Sequence, residues 1–144
     1  MSRKRIRVYI PGVFELFHVG HLQALEKAKR LGTHLIVGIQ GDQGVRRQKG
    51  HDPTVRLNDR KKIVSSIECV DQVITYSSPD QTKVLNFLKP DILAVSEFYG
   101  LDDLGQMETL VSADRLGIKV TRIPYLKGIS TTLIKRKIRE LNRK

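Results

Sequence analysis

Residues 6–39, IRVYIPGVFELFHVGHLQALEKAKRLGTHLIVGI, decide the fold. Ile6 to Ile10 is a short run rich in β-branched and aromatic residues, and Pro11-Gly12 ends it, which predicts a strand running into a turn. From Gly20, Leu22, Leu25, Ala28 and Leu31 recur at helical spacing. Lys27, Lys29 and Arg30 fall in the last turns, with Gly32 as the residue after the end. His34 to Ile39 is mostly apolar, as a strand buried on both faces of a parallel sheet must be. The order is therefore strand, loop, helix, strand.

The remaining chain continues the alternation. Gly41 to Leu57 holds three glycines, one proline and four Arg or Lys residues with no sustained period, and is expected to be a long functional loop. Asn58 or Asp59 is placed to cap a helix reaching Cys69, with Ile63, Val64 and Ile67 as its apolar stripe. Val70 to Tyr76 reads as a third strand. Ser78-Pro79 is the expected N-cap and first helical residue of the next helix, which buries Val84, Leu85 and Leu88 and ends at Lys89-Pro90. Asp91 to Ser96 gives strand four, Asp103 to Leu116 a helix stopped by Gly117, and Ile118 to Ile123 strand five. The last helix starts near Ser130. Strands alternating with helices imply right-handed βαβ crossovers, hence an α/β, doubly wound, parallel five-stranded sheet of Rossmann-like type. The expected strand order is 3-2-1-4-5, in a single domain over residues 1–144.

Composition narrows the function. A chain of 144 residues with 40% hydrophobic content supports one core. The lone Cys69 cannot form an internal disulfide, no Cys/His spacing resembles a zinc site, and no stretch is long and apolar enough to span a membrane. A cytoplasmic protein without membrane attachment is the expectation. The net charge of +11 favours anionic partners. Much of it lies in Arg3, Lys4, Arg5 and Arg7 and in the run from Lys135 to Lys144, where a solvated surface also accounts for it. No stripe of interleaved aromatic and basic residues supports nucleic acid as the partner.

In such a sheet, ligands bind outside the carboxyl ends of the strands, where the winding reverses. The loop after strand one carries Gly12, Val13 and Phe14, then His18-Val19-Gly20-His21 at the opening of the first helix. A helix start offers free N–H groups and the positive end of its dipole, which favour a nucleotide phosphate. Two imidazoles there, as donors or as cations, can neutralise charge building on an α-phosphate as pyrophosphate leaves. Gly20 lets the backbone approach without a Cβ. Most histidines are merely partly buried, but this pair sits behind a glycine turn at the first helix of a βαβ unit, and that context favours phosphate binding. A second helix start, Gly128-Ile129-Ser130-Thr131-Thr132, faces the same end of the sheet. Ser130 or Thr131 serves as N-cap there, and the hydroxyls and N–H groups can also hold the β and γ phosphates.

GVFELFHVGH, the later KGISTT and the element order resemble the cytidylyltransferase-like family, which includes glycerol-3-phosphate cytidylyltransferase and the adenylyltransferase domain of ADP-heptose synthase. The resemblance covers essentially the whole chain. It implies that His18 and His21 hold the triphosphate and stabilise the transition state, and that the closing motif binds triphosphate. Val45-Arg46-Arg47-Gln48-Lys49-Gly50 looks like the heptose enzymes' basic segment, which selects Lys49 as a residue able to follow a phosphate. Arg60 corresponds to an arginine shared by these relatives, and either binds phosphate or braces the loop through a carboxylate. Glu15 stands where relatives carry Asp, Val13 replaces a threonine, and Ser96-Glu97-Phe98-Tyr99 replaces a glycine-rich turn with an Asp. Tyr125 replaces an arginine, while Glu68 agrees with the heptose-type pattern.

The expected activity is therefore transfer of a nucleoside monophosphate from ATP or CTP, with Mg2+, to a phosphorylated sugar or polyol, with release of pyrophosphate. The pattern leans to a heptose-1-phosphate adenylyltransferase-like reaction, with glycerol-3-phosphate cytidylyl transfer or a non-catalytic nucleotide-binding or nucleic-acid-binding protein of the same fold as alternatives. The metal ligands are not assigned. The resemblance also implies a homodimer.

Overall fold

The computed structural model describes residues 4–124, 126 and 128–143. Arg3, Tyr125 and Lys144, singled out above, lie outside the described residues. Five strands, β1 (Arg7–Gly12), β2 (His34–Gln40), β3 (Gln72–Tyr76), β4 (Ile92–Ser96) and β5 (Lys119–Ile123), form one sheet. Their order is β3-β2-β1-β4-β5, and every pairing is parallel. The expected topology is found, with its switch point between β1 and β4.

Alternate strand residues feed two cores. Val8, Ile10, Leu35, Val37 and Ile39 face helices α1 (Val19–Arg30) and α3 (Leu57–Ser65), which contribute Leu25, Ala28 and Val64. Tyr9, Ile36, Leu93 and Val95 face α4 (Thr82–Leu88) and α5 (Leu104–Arg115), through Leu85, Leu88 and Ala113. The period-two alternation of strands thus sends neighbouring residues into opposite layers. The chain closes with α6 (Thr131–Asn142), capped by Ser130, whose side chain accepts from Leu133 N.

Three local expectations are corrected. The loop predicted over Gly41 to Leu57 contains a helix, α2 (Asp42–Lys49), closed by Gly50 in the left-handed region at φ 82°. Asp42 in its first turn and Arg46, Arg47 and Lys49 in its last complement the helix dipole. Val45 is its one buried apolar side chain, too few to show a period. Helix α3 starts at Leu57, ahead of Asn58 and Asp59, and neither caps it; its N-cap is Arg56 and it ends at Ser65, short of Cys69. Ser78 does not cap α4. Its hydroxyl accepts from Asp80 N, the Asp80 carboxylate accepts from Thr82 N, and this turn delays the helix until Thr82.

Tyr9 crosses beneath β2, where its hydroxyl donates to Gln81 Oε1 at 2.6 Å. A Cβ on Gly38 would lie 2.1 Å from that hydroxyl, so β2 tolerates only glycine there. Gly38→Ala is expected to lower folding stability by about 1–3 kcal/mol, the range for overpacking a filled core. Unchanged chemical denaturation would show that Tyr9 can move aside.

Candidate nucleotidyl-transfer site

A cleft of about 610 Å3 opens at the carboxyl ends of the strands. Its wall includes Gly12, Val13, Phe14, His18, Gly20 and His21 from the first loop and α1, and Lys49 from the end of α2. Gly128, Ile129, Ser130, Thr131 and Thr132 close it from the start of α6. The two helix starts expected to bind phosphate are therefore side by side. Thr131 Oγ1 donates to the Glu15 carbonyl at 2.8 Å, and Ile129 Cγ2 would lie 3.4 Å from a Cβ on Gly20.

The histidines are held by their own helix. His18 is the N-cap of α1, and its Nδ1 accepts from Gly20 N at 3.0 Å. His21 reaches back, and its Nδ1 accepts from His18 N at 3.2 Å. This is a capping box made from two imidazoles. Because each Nδ1 accepts a backbone N–H, the ring proton belongs on Nε2 in both. The rings stack with centroids 3.9 Å apart, and Phe17 and Phe14 flank His21 at 5.4 and 5.5 Å. Burial lowers the pKa of His18; burial and then His18 push that of His21 down to about 4. Of the two charge states the sequence allowed, neutral donors are the ones this geometry supports. A Cβ on Gly20 would lie 2.8 Å from His18 Cε1, so glycine here serves the imidazole as well as any approaching phosphate.

The loop bearing these histidines is strained. Phe14 and Leu16 take left-handed φ values of 56° and 47°, costing on the order of 1 kcal/mol each. Glu15 between them is buried, and its carboxylate accepts from Thr54 N and Val55 N, pinning the segment after α2. That gives the replacement of Asp by Glu a structural use.

Arg60 lies outside the cleft wall. Only 1% exposed, it donates Nε to Val55 O at 2.8 Å and Nη1 to Val13 O and Gln40 O at 2.9 and 2.7 Å. Its Nη2 meets the Asp42 carboxylate at 2.7 Å. Of the two roles the sequence left open, the structure places Arg60 in the brace.

Lys49 is exposed by surface area, yet its pKa is lowered, first by desolvation against the neighbouring protein and then by Lys135, with Glu15 opposing. Lys135 on α6 stands 4.0 Å from the Glu15 carboxylate. Sequence reasoning left Lys135 in a solvated run and missed its place beside Lys49; the only available signal was its position one turn into the closing helix. It also missed Tyr76, Tyr99, Gln40, Gln48 and Gln106 in the wall, which ordinary composition does not distinguish. No helix among the described residues is long and apolar enough to cross a membrane.

The two helix starts meet at the switch point of a parallel sheet, and the first of them carries His18 and His21. Residues 9–137 match the cytidylyltransferase-like family, and the chain belongs to that family. It is 35% identical over 138 residues to the bifunctional protein HldE of Citrifermentans bemidjiense, and 36% identical over 126 residues to the FAD synthase of Pyrococcus abyssi. The matches cover 95% and 87% of this chain; they span 28% of the HldE protein and 84% of the FAD synthase. The crystal structure of the lipopolysaccharide core biosynthesis protein from Thermoplasma volcanium GSS1 superposes with a TM-score of 0.68 at 30% identity, over 88% of this chain and all of that one. TmcAL of Thermotoga maritima, bound with alpha-thio ATP, shares the fold at a TM-score of 0.72 and 15% identity, over 95% of this chain and 51% of that one.

Two outcomes follow from the site's construction. Arg60→Ala leaves Asp42 and three carbonyls without their buried partner and is expected to cost about 3–5 kcal/mol, read by urea denaturation; a loss under 1 kcal/mol would show that water replaces the guanidinium. For His21 the folded pKa of about 4 lies below the ordinary 6.5, so the unfolded chain takes up the proton first. Stability is then expected to fall as pH drops from 6.5 towards 4, and His21→Gln to flatten that slope. A His21 ring seen by NMR to be protonated at pH 6 would contradict the assignment.

Proposed function

We propose that the protein transfers the nucleoside monophosphate of ATP to a phosphorylated small molecule. The observation that carries this reading is the imidazole capping box, which leaves Nε2–H free on two neutral rings lining a cleft shared with a second helix start. A phosphate oxygen of the acceptor attacks the α-phosphorus in line. The bond from that phosphorus to the bridging oxygen breaks, and pyrophosphate leaves with the electron pair. Fixed donors at the developing charge stabilise that transition state without reorganising. Holding both reactants in one cleft supplies proximity, so no covalent intermediate on the protein is needed.

Each element has a part. The N–H groups at the start of α1 and of α6, with the Ser130, Thr131 and Thr132 hydroxyls, receive the triphosphate. Lys49 follows the phosphate charge as it redistributes. Its lowered pKa is consistent with a cation waiting for an anion, since desolvation and Lys135 both oppose its charge until phosphate arrives. Magnesium would shield the pyrophosphate. Among the described residues no three His, Cys, Asp or Glu side chains are placed to hold a metal.

ATP is favoured over CTP because FAD, the product in the name of the Pyrococcus relative, contains an adenylyl half. The heptose-type sequence pattern points to the same nucleotide. A sugar 1-phosphate or a flavin mononucleotide is then the acceptor.

Pyrophosphate release with ATP, magnesium and a panel of such acceptors tests the reading. His18→Ala and His21→Ala are each expected to reduce turnover by roughly a hundredfold or more, the scale for losing one preorganised donor, with a smaller change in triphosphate affinity. Rates within twofold of the parent would remove the imidazoles from the mechanism.

A further inference from the structure

Helix α2 carries Lys49 into the cleft wall on very little apolar packing. Val45 is its one buried apolar side chain, and a helix of eight residues does not hold in water without tertiary support. Its first turn is tied by Asp42 to the Arg60 guanidinium at 2.7 Å. Its last turn is tied by Gln48, whose Nε2 donates to Asp103 Oδ2 at 2.8 Å. Arg46 pairs with Asp52, which folds the following loop onto α2 rather than α2 onto the body. Lys49 thus sits one residue from the Gln48 tie and one residue before Gly50, where the chain turns left-handed with open space beside it.

Asp103 is itself fixed. It is the N-cap of α5, and its Oδ1 accepts from Gln106 N at 2.9 Å while Oδ2 takes Gln48. Gln106 Oε1 in turn accepts from Gly100 N at 2.9 Å, so the turn after β4 is joined to the same cap. Helices α2 and α5 follow β2 and β4, which lie on either side of β1, and the Gln48 bond therefore spans the switch point. Neighbours on a helix project about 100° apart. Gln48 reaches α5, while Lys49 stands where Glu15 and Lys135 act on its charge. Fixing the first side chain fixes the turn from which the second projects.

We propose that Gln48 is a positioning residue: by clasping Asp103 it holds the last turn of α2, and with it the Lys49 ammonium, where the triphosphate binds. The inference rests on the nucleotidyl-transfer reading, which puts the triphosphate beside Lys49. An ammonium is a point charge on a flexible stem, so its contact with phosphate depends on where the stem begins. An exposed hydrogen bond contributes little to folding, and the effect is read in ligand binding and not in stability. The bond also has a direction, since the amide donates and the carboxylate only accepts. Exchanging the two side-chain types restores a donor and an acceptor with the same net charge, and asparagine still caps α5.

Equilibrium binding of α,β-methylene ATP with magnesium to the whole chain tests this without turnover, beside melting curves that confirm each variant is folded. Gln48→Ala is expected to weaken binding by roughly three- to tenfold, the scale of one hydrogen bond. Lys49→Ala is expected to weaken it at least as much, and adding Gln48→Ala to that variant to change it by less than about twofold, because the clasp acts through the ammonium. Gln48→Glu sets carboxylate against carboxylate and is expected to bind more weakly than Gln48→Ala. Adding Asp103→Asn to Gln48→Glu is expected to restore binding to within about threefold of the parent. Unchanged affinity in folded Gln48→Ala, losses that add fully to those of Lys49→Ala, no recovery in the exchanged pair, or a parent that does not bind the nucleotide would each overturn the inference. If the coupling and the recovery are found but no pyrophosphate is released with ATP, the clasp stands and the transferase reading falls.

Discussion

The buried guanidinium of Arg60 is the interaction on which the site's geometry depends. Three carbonyls and one carboxylate converge on it from different segments: Val13 in the first loop, Gln40 at the end of β2, Asp42 in the first turn of α2, and Val55 before α3. Such groups cannot be left dry and unpaired, and only a planar fork of five donors can serve several at once. The same first loop is tied on its other side by the Glu15 carboxylate to Thr54 and Val55, and by the Glu15 carbonyl to Thr131. A loop with left-handed φ at Phe14 and Leu16 is therefore fixed from below, from the side and from α6. The histidines that follow inherit a defined position.

That construction shows which parts of the site could be read from sequence. HxGH and the Gly128 to Thr132 segment were legible because they combine unusual residues with a helix start, and helix starts have a general chemistry. The strand order was legible because parallel strands leave continuous apolar runs separated by helical periods. Helix α2 was not, since eight residues with one buried apolar side chain, Val45, carry no period; its stability comes from Asp42 meeting Arg60 and Gln48 meeting Asp103. The start of α4 failed for a different reason. Ser78-Pro79 has the composition of a cap, but the Asp80 side chain captures Thr82 N first, and local competition of that kind is settled by geometry.

Contacts between distant segments left no trace at all. Gln48 and Asp103 are 55 residues apart, and neither type is unusual where it stands. Lys135 looked like part of a basic tail until α6 was seen to begin beside the first loop. Arg60 was visible as a candidate, yet its two readings differ only in burial.

Charge placement along the cleft follows from these same ties. The imidazoles are stacked and partly desolvated, and each already accepts a backbone proton at Nδ1, so neither gains a proton without breaking the box that positions it. Among the described residues the positive charge in the wall is that of Lys49, whose charge Lys135 opposes and Glu15 favours, while Lys135 itself stands 4.0 Å from the Glu15 carboxylate. In the proposed reaction a neutral donor pair and a cation pair divide two tasks. Fixed donors of unchanging charge favour the transition state through position, whereas flexible ammonium groups follow charge as it moves onto the leaving pyrophosphate. Had the histidines been cations, two stacked rings with centroids 3.9 Å apart would repel one another, and that repulsion would oppose the capping box. Neutral imidazoles allow the cleft to be preformed before any phosphate arrives.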